Sequence, residues 1–217
     1  MPATGRNGNQ EMYIAIRLGV LALSLVCARQ AVADTEFEQK VRDGFARHPG
    51  YSVVFMDVRL VEDGSKTLDC SVPIVYVSSA RGLSSIKLGR KETSIFGHSV
   101  SEATYGGADL LAPGTYVVNY VTCSHYLNLR GEFARFRVGP DEIVNLGSLV
   151  IDFKRNPQQF MQKATFTGRT RVEDLSENAK ASLTERSPVI FPKAAKRYMI
   201  PNPATSGSSA PASVKGN

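Results

Sequence analysis

Metal-binding spacings are missing from this chain: its 217 residues hold three cysteines and three histidines, with no C-x-x-C and no H-x-x-x-H among them. That excludes the sequence signatures of closed zinc modules. Beyond residue 33 no apolar run reaches the length a bilayer requires, so no membrane-spanning segment is expected in the mature form. Strong charge is lacking too. The formal net charge is +6, too weak for the dense basic footprint of a nucleic-acid binder, and no nucleic-acid partner is expected. No fixed-period repeat is visible. What is present is 42% hydrophobic and 8% aromatic residues, which excludes a disordered or collagen-like chain.

The N-terminus reads as an export signal spanning residues 1–33. An apolar core runs from Leu18 to Ala28, is preceded by Arg17, and is followed by the A-x-A site Ala31-Val32-Ala33, which puts the mature start at Asp34. Met12 is an alternative translation start that leaves the cut unchanged. Losing Arg6, Arg17, Arg29 and Glu11 with the signal lowers the net charge from +6 to +4. A rival reading makes Cys27 the lipidated first residue of a membrane-anchored lipoprotein; against it stands Val26, where lipobox processing wants a small residue. An uncleaved anchor is the other alternative. Export gives a periplasmic or secreted location. There the two remaining cysteines, Cys70 and Cys123, have one possible pairing, a disulfide tying two β-branched runs together.

Residues 34–49 open on Thr35-Glu36-Phe37-Glu38, a capping box, and Phe37, Val41 and Phe45 then form one apolar stripe of a helix ended by His48-Pro49-Gly50. From residue 50 to 172 the period becomes strand-like. Strands are expected at 51–61, 72–78, 84–88, 115–123, 132–138, 143–152 and 164–172, with 90–111 a long loop or a hidden edge strand at 94–100. Pro113-Gly114 fits the centre of a type II turn. About seven short strands spaced by turns predict a mainly β fold, an antiparallel sandwich. Over 173–200 a short helical segment is expected, capped by Asp174 with Leu175, Ala179 and Leu183 on one face and one more turn at 193–199. Residues 201–217 are Pro, Ala, Ser, Gly and Asn-rich, and predict a disordered tail.

Chemistry is sparsely signalled. Gly97-His98-Ser99-Val100-Ser101 imitates a nucleophile elbow, G-x-S-x-G, without its closing glycine; this is the hydrolase reading. His98, Cys123 and His125 are the candidate ligands for a copper or zinc site, available only if Cys123 is not bridged. The neighbours Glu62-Asp63, Asp141-Glu142 and Glu173-Asp174 fall in turns or at a helix start, where acidic side chains serve hydrogen bonding and the helix dipole. Binding surfaces are better marked. Strand 116–123 alternates Tyr116, Val118, Tyr120 and Thr122 against Val117, Asn119, Val121 and Cys123, so a tyrosine platform at Tyr116 and Tyr120 could take a glycan or peptide. Arg135 and Arg137 share a strand face opposite Phe136, with Arg130 in the preceding turn, a cationic strip suited to an anionic envelope polymer or protein.

The segments Leu111-Ala112-Pro113-Gly114-Thr115-Tyr116-Val117-Val118 and Phe136-Arg137-Val138-Gly139-Pro140-Asp141-Glu142-Ile143-Val144-Asn145-Leu146-Gly147, with Cys123 between them, resemble exported proteobacterial domains of unknown function, and carboxypeptidase-regulatory-like and transthyretin-like sandwiches. The resemblance implies a small envelope β-domain. It supplies no catalytic residue and no cofactor, and the expectation is a non-enzymatic binding or structural protein of the envelope.

Overall fold

The computed structural model describes residues 35–68, 70, 73–88, 91–95, 98–102, 106–123, 127–156 and 164–210; the side chains of 91–95, 98–102, 209 and 210 are outside the description. The expected signal at 1–33, with Cys27, therefore lies outside the described residues, as do His125 and 211–217.

Helix α1 (Glu36–Arg47) leads into β1 (Ser52–Glu62), β2 (Lys66–Thr67), β3 (Pro73–Ser79) and β4 (Gly82–Lys87). Then come β5 (Lys91–Ile95), β6 (His98–Glu102), β7 (Gly107–Leu111), β8 (Gly114–Cys123), β9 (Leu127–Val138), β10 (Ile143–Arg155) and β11 (Thr165–Glu173). Helix α2 (Glu177–Arg186), a 3-10 turn at Phe191–Lys193, β12 (Ala195–Lys196), β13 (Ile200–Pro201) and β14 (Thr205–Ala210) complete the order. All seven expected strands are present, and 90–111 holds β5, β6 and β7 rather than a loop.

The fold is mainly β, but twelve of the fourteen described strands make one mixed, strongly curled half-barrel sheet rather than an antiparallel sandwich, and β5 and β6 pair separately. Its order is β2-β1-β10-β11-β14-β9-β8-β3-β4. The correction has a physical source in β1, which pairs with β10 in parallel, Val53 opposite Ile143 through Glu62 opposite Phe153. Both strands are buried along most of their length, as parallel strands covered on two faces must be. Val54, Met56, Val58 and Leu60 of β1 face into the curl and meet Phe133, Phe153 and Phe166. Val53 and Phe55 face the opposite way, onto Val41, Leu175, Ala179 and Leu183 of the helical side. Phe55 is the hinge of that second layer, with the Phe37 ring 6.4 Å away and the Phe191 ring 5.1 Å away, edge-on. Strand β7 pairs with β1, and an isolated bridge from Gly107 to Leu88 brings β7 to the end of β4.

Local signals were partly rerouted by tertiary contacts. Thr35 caps α1 as expected, accepting from the Glu38 amide at 3.2 Å. The Glu38 carboxylate does not reach back to complete a box. It is fully buried and accepts from the Val189 amide at 2.7 Å, the Ile190 amide at 2.9 Å and the Ser187 hydroxyl at 3.2 Å, clasping α1 to the chain after α2. The cap of α2 is Ser176, which accepts from the Ala179 amide at 3.2 Å, because the helix begins at Glu177; Asp174 lies two residues before the cap and accepts from the Leu175 amide at 2.9 Å and from Lys196 at 2.8 Å. Pro113-Gly114 does not make a type II turn: Gly114 is absent from the positive-φ glycines and already begins β8. The expected tail is wrong for residues 205–210, which lie inside the sheet as β14, between β11 and β9. Their low apolar content hid them, since an inserted strand satisfied by two neighbours needs backbone pairing more than side-chain burial.

Cys70 and Cys123 form the expected disulfide, Cα atoms 4.8 Å apart, across a sequence separation of 53. It closes the β3–β8 side of the curl. In urea melts, Cys70→Ser with Cys123→Ser should lower stability by about 4 kcal/mol, the loop-entropy value for a loop of this size. Phe55→Ala should cost ~3–5 kcal/mol, since it empties the contact between sheet and helices. Unchanged melts for either variant contradict the packing described.

Candidate functional site

On β8 the strand period is broken between Val118 and Tyr120. Asn119 is skipped in the pairing with both neighbours: Val118 lies opposite Val77 and Ala134, while Tyr120 lies opposite Tyr76 and Arg130. A bulge of one residue reverses the facing of everything beyond it. Tyr116 and Val118 therefore point into the core, whereas Tyr120 and Thr122, expected on the same face as those two, point out.

This separates the two platform tyrosines. Tyr116 is buried, stacks on Phe136 at 5.3 Å and donates its hydroxyl to the Ala112 carbonyl at 2.7 Å, and burial pushes its phenol pKa up. It cannot be a platform. Tyr120 gains a different companion, Tyr76 of β3, stacked at 4.9 Å. On its other flank the Arg130 guanidinium sits 4.6 Å from the Tyr120 ring centroid. Arg130 is on β9 rather than in a turn, because β9 begins at Leu127.

Register aligns these side chains into cross-strand rows on the outer face. One row runs Ser85, Tyr76, Tyr120, Arg130, Ser208. A second runs Leu83, Ser78, Val117, Arg135, Ile200, and Arg137 lies opposite Thr115 one step further along β9. Leu83 and Ile200 are 65% and 71% exposed, unusual for aliphatic side chains on a sheet. Arg130, Arg135 and Arg137 are exposed, with Phe136 buried between the last two. Lys87 on β4 adds a fourth exposed cation. Arg135 is held by Glu132 at 2.6 Å, which raises the Arg135 pKa and lowers that of Glu132. The sequence separated Tyr120 from Arg130 into two candidate surfaces; register joins them, and brings in Tyr76, which the sequence did not single out. A period-2 reading of 73–79 would have found Tyr76 on a face alternating with buried Val75 and Val77.

The other candidates come apart. Cys123 is in the disulfide and so cannot ligate a metal as a thiolate; the His98 side chain and His125 lie outside the described residues. Among the described residues, no group of three or more His, Cys, Asp or Glu is placed to hold a metal ion. The elbow reading of 97–101 is overturned. His98–Ser101 belong to an antiparallel hairpin in which Ser94 lies opposite Ser99, whereas an elbow sits at a turn from strand to helix. An open groove of about 750 Å³ lies where the Asp63-Gly64 turn meets β10 and β11, lined by Asp152, Lys154, Thr167 and Arg169. Its Asp152 is already used, accepting from the Gly64 amide at 3.1 Å.

One buried acid was not anticipated. Asp57 on β1 is 1% exposed, at an irregularity where β1 and β10 shift register. Burial raises its pKa to about 6, against hydrogen bonds from Ser148 at 3.1 Å, the Val58 amide at 2.8 Å and Ser176, and the field of Arg59. Its carboxylate thus links the parallel pair to the cap of α2.

No protein-family model, curated protein or solved structure matches this chain.

Asp57 gives a pH test with a definite sign. Its folded pKa lies above the unfolded value, so its contribution is fully present below the unfolded pKa of about 3.9 and is lost as pH rises through about 6. Stability should therefore rise on acidification from pH 7 toward 5. Asp174 acts oppositely at lower pH: the Lys196 ammonium, through its hydrogen bond, lowers the Asp174 pKa to about 2, so that contribution is lost as pH falls from about 4 toward 2. Asp57→Asn should flatten the slope between pH 7 and 5 in urea titrations and leave the acid limb in place. A wild-type stability that falls steadily from pH 7 to 5 contradicts the assignment.

Proposed function

We propose that this protein is an exported, non-enzymatic component of the cell envelope that binds an anionic polymer on the outer face of β3, β8 and β9. The observation that carries this reading is the single row in which Arg130 lies over Tyr120 and Tyr120 stacks on Tyr76. A stacked aromatic pair offers flat apolar surface at little entropic cost, because tyrosine has few rotatable bonds. The guanidinium held over the Tyr120 ring presents donors in a fixed fork suited to carboxylate or phosphate. Arg137 and Lys87 on neighbouring rows extend the positive field beyond one contact, while Arg135 is neutralised by Glu132, and the spread suits a chain of repeated anionic units better than a single small anion. Export is supported by the residues 18–33 signal pattern and by the Cys70–Cys123 bridge, since disulfides persist in oxidising compartments. A periplasmic or secreted location follows as part of the same proposal.

Co-sedimentation with purified envelopes, and with an isolated anionic polysaccharide, tests it at low and high salt. Binding by the wild type should weaken as salt rises past the point where the Debye length falls below ~8 Å. Arg130→Glu with Arg137→Glu should weaken it at least about tenfold, or 1.4 kcal/mol, while thermal melts stay within about 0.5 kcal/mol because exposed arginines add little to stability. Tyr76→Ala should weaken binding without altering its salt slope. Equal, salt-independent sedimentation of all three proteins defeats the proposal.

A further inference from the structure

Strand β14 is the least expected member of the sheet, and its attachment is unlike that of the others. It bridges β11 and β9, with four register pairs to the first, Thr165 opposite Ser208 through Gly168 opposite Thr205, and three to the second, Ser208 opposite Arg130 through Ala210 opposite Asn128. Its residues are Thr-Ser-Gly-Ser-Ser-Ala, and Thr205 is the one buried side chain among those described. Backbone hydrogen bonds, whose net contribution is small because water competes for the same groups, hold it in place without the apolar burial that fixes β1 or β8.

The chain just before β14 is firmly pinned. The Asn202 amide donates to the Phe133 carbonyl at 2.8 Å, its side chain donates to the Glu132 carbonyl at 3.1 Å, and the Thr170 hydroxyl lies against the carbonyls of Phe133 and Asn202. Thr205 adds a bond to the Glu132 carbonyl at 3.1 Å. A fixed anchor thus precedes a weakly held strand.

The slot is nevertheless selective. A Cβ at position 207 would fall 1.7 Å from the Arg130 carbonyl oxygen and 3.1 Å from the Phe166 ring. Across the strand pair, a Cβ at Gly131 would fall 2.8 Å from the Ser206 carbonyl oxygen. Both close approaches are to backbone, which cannot swing aside. The space between β9 and β11 accepts an extended segment only with glycine at this point, and the chain's own C-terminal segment, with Gly207, satisfies this.

We propose that the slot between β9 and β11 is a strand-acceptor site, filled by β14 of the same chain and open to the same segment of a second copy, so that copies associate by exchanging C-terminal strands. The tethered strand competes at an effective concentration on the order of millimolar, so exchange is slow to show in dilute wild-type protein and grows with concentration. The inference stands apart from polymer binding: it concerns the pairing edges of β9 and β11, not the outer face.

The test uses the full chain and a fluorescent peptide of residues 203–217. Gly207→Val in the protein should expel its own strand and raise affinity for the wild-type peptide at least tenfold over the wild-type protein, whereas a peptide carrying Gly207→Val should bind neither. In wild-type protein, hydrogen exchange should show the Gly207 and Ser208 amides opening at least a hundredfold faster than those of β8 and β10. A folded Gly207→Val protein with no gain in peptide binding overturns the proposal. If that variant does not fold, the exchange data decide: β14 amides that open only with global unfolding overturn it, and early opening upholds it.

Discussion

The parallel pairing of β1 with β10 is the constraint on which the remaining architecture depends. Two strands buried on both faces require a cover on each side, and the chain provides two different ones. Inside, the sheet curls on itself until β3, β8 and β9 close over Met56 and Leu60. Outside, α1, α2 and the 3-10 turn lie over Val53 and Phe55. Where this double burial meets a polar residue the local structure adjusts: Asp57 sits at the register shift, and its carboxylate is met by serine hydroxyls and an amide instead of being left unpaired.

The positions of the strands were legible because turn residues and β-branched runs report directly on local backbone preference. How those strands pair was not. Period-2 alternation is the mark of a strand with one wet face, and most of the expected strands have one. Val53-Val54-Phe55-Met56 does not alternate, and that continuous apolar run was the available sign of a strand covered on both sides. The parallel partner of β1 lies on the far side of eight intervening strands, a relation no local pattern encodes. β14 was illegible for the opposite reason, since Ser and Gly are chosen there for close backbone approach and read as disorder when packing is unknown.

At the candidate site, facing was read correctly on β9 and incorrectly on β8. Arg135, Phe136 and Arg137 alternate as the sequence indicates. On β8 the bulge at Asn119 intervenes, and nothing in Tyr-Val-Val-Asn-Tyr-Val announces it. Its effect is large relative to its size. Without that one extra residue Tyr120 would enter the core beside Tyr116, and Arg130 would stand on the outer face without an aromatic neighbour.

The Glu38 clasp has a consequence for the order in which this molecule can be completed. Its carboxylate belongs to the first helix among the described residues, yet all three of its donors lie between residues 187 and 190. A chain emerging from its N-terminus, whether from a ribosome or a translocation pore, must therefore carry α1 undocked while nearly every strand is synthesised behind it. β1 waits likewise for β10, and β9 for the strand near the C-terminus. Such long-range closures make folding late and slow, with apolar edges exposed in the interval. Closure of the sheet between β9 and β11 therefore waits for β14.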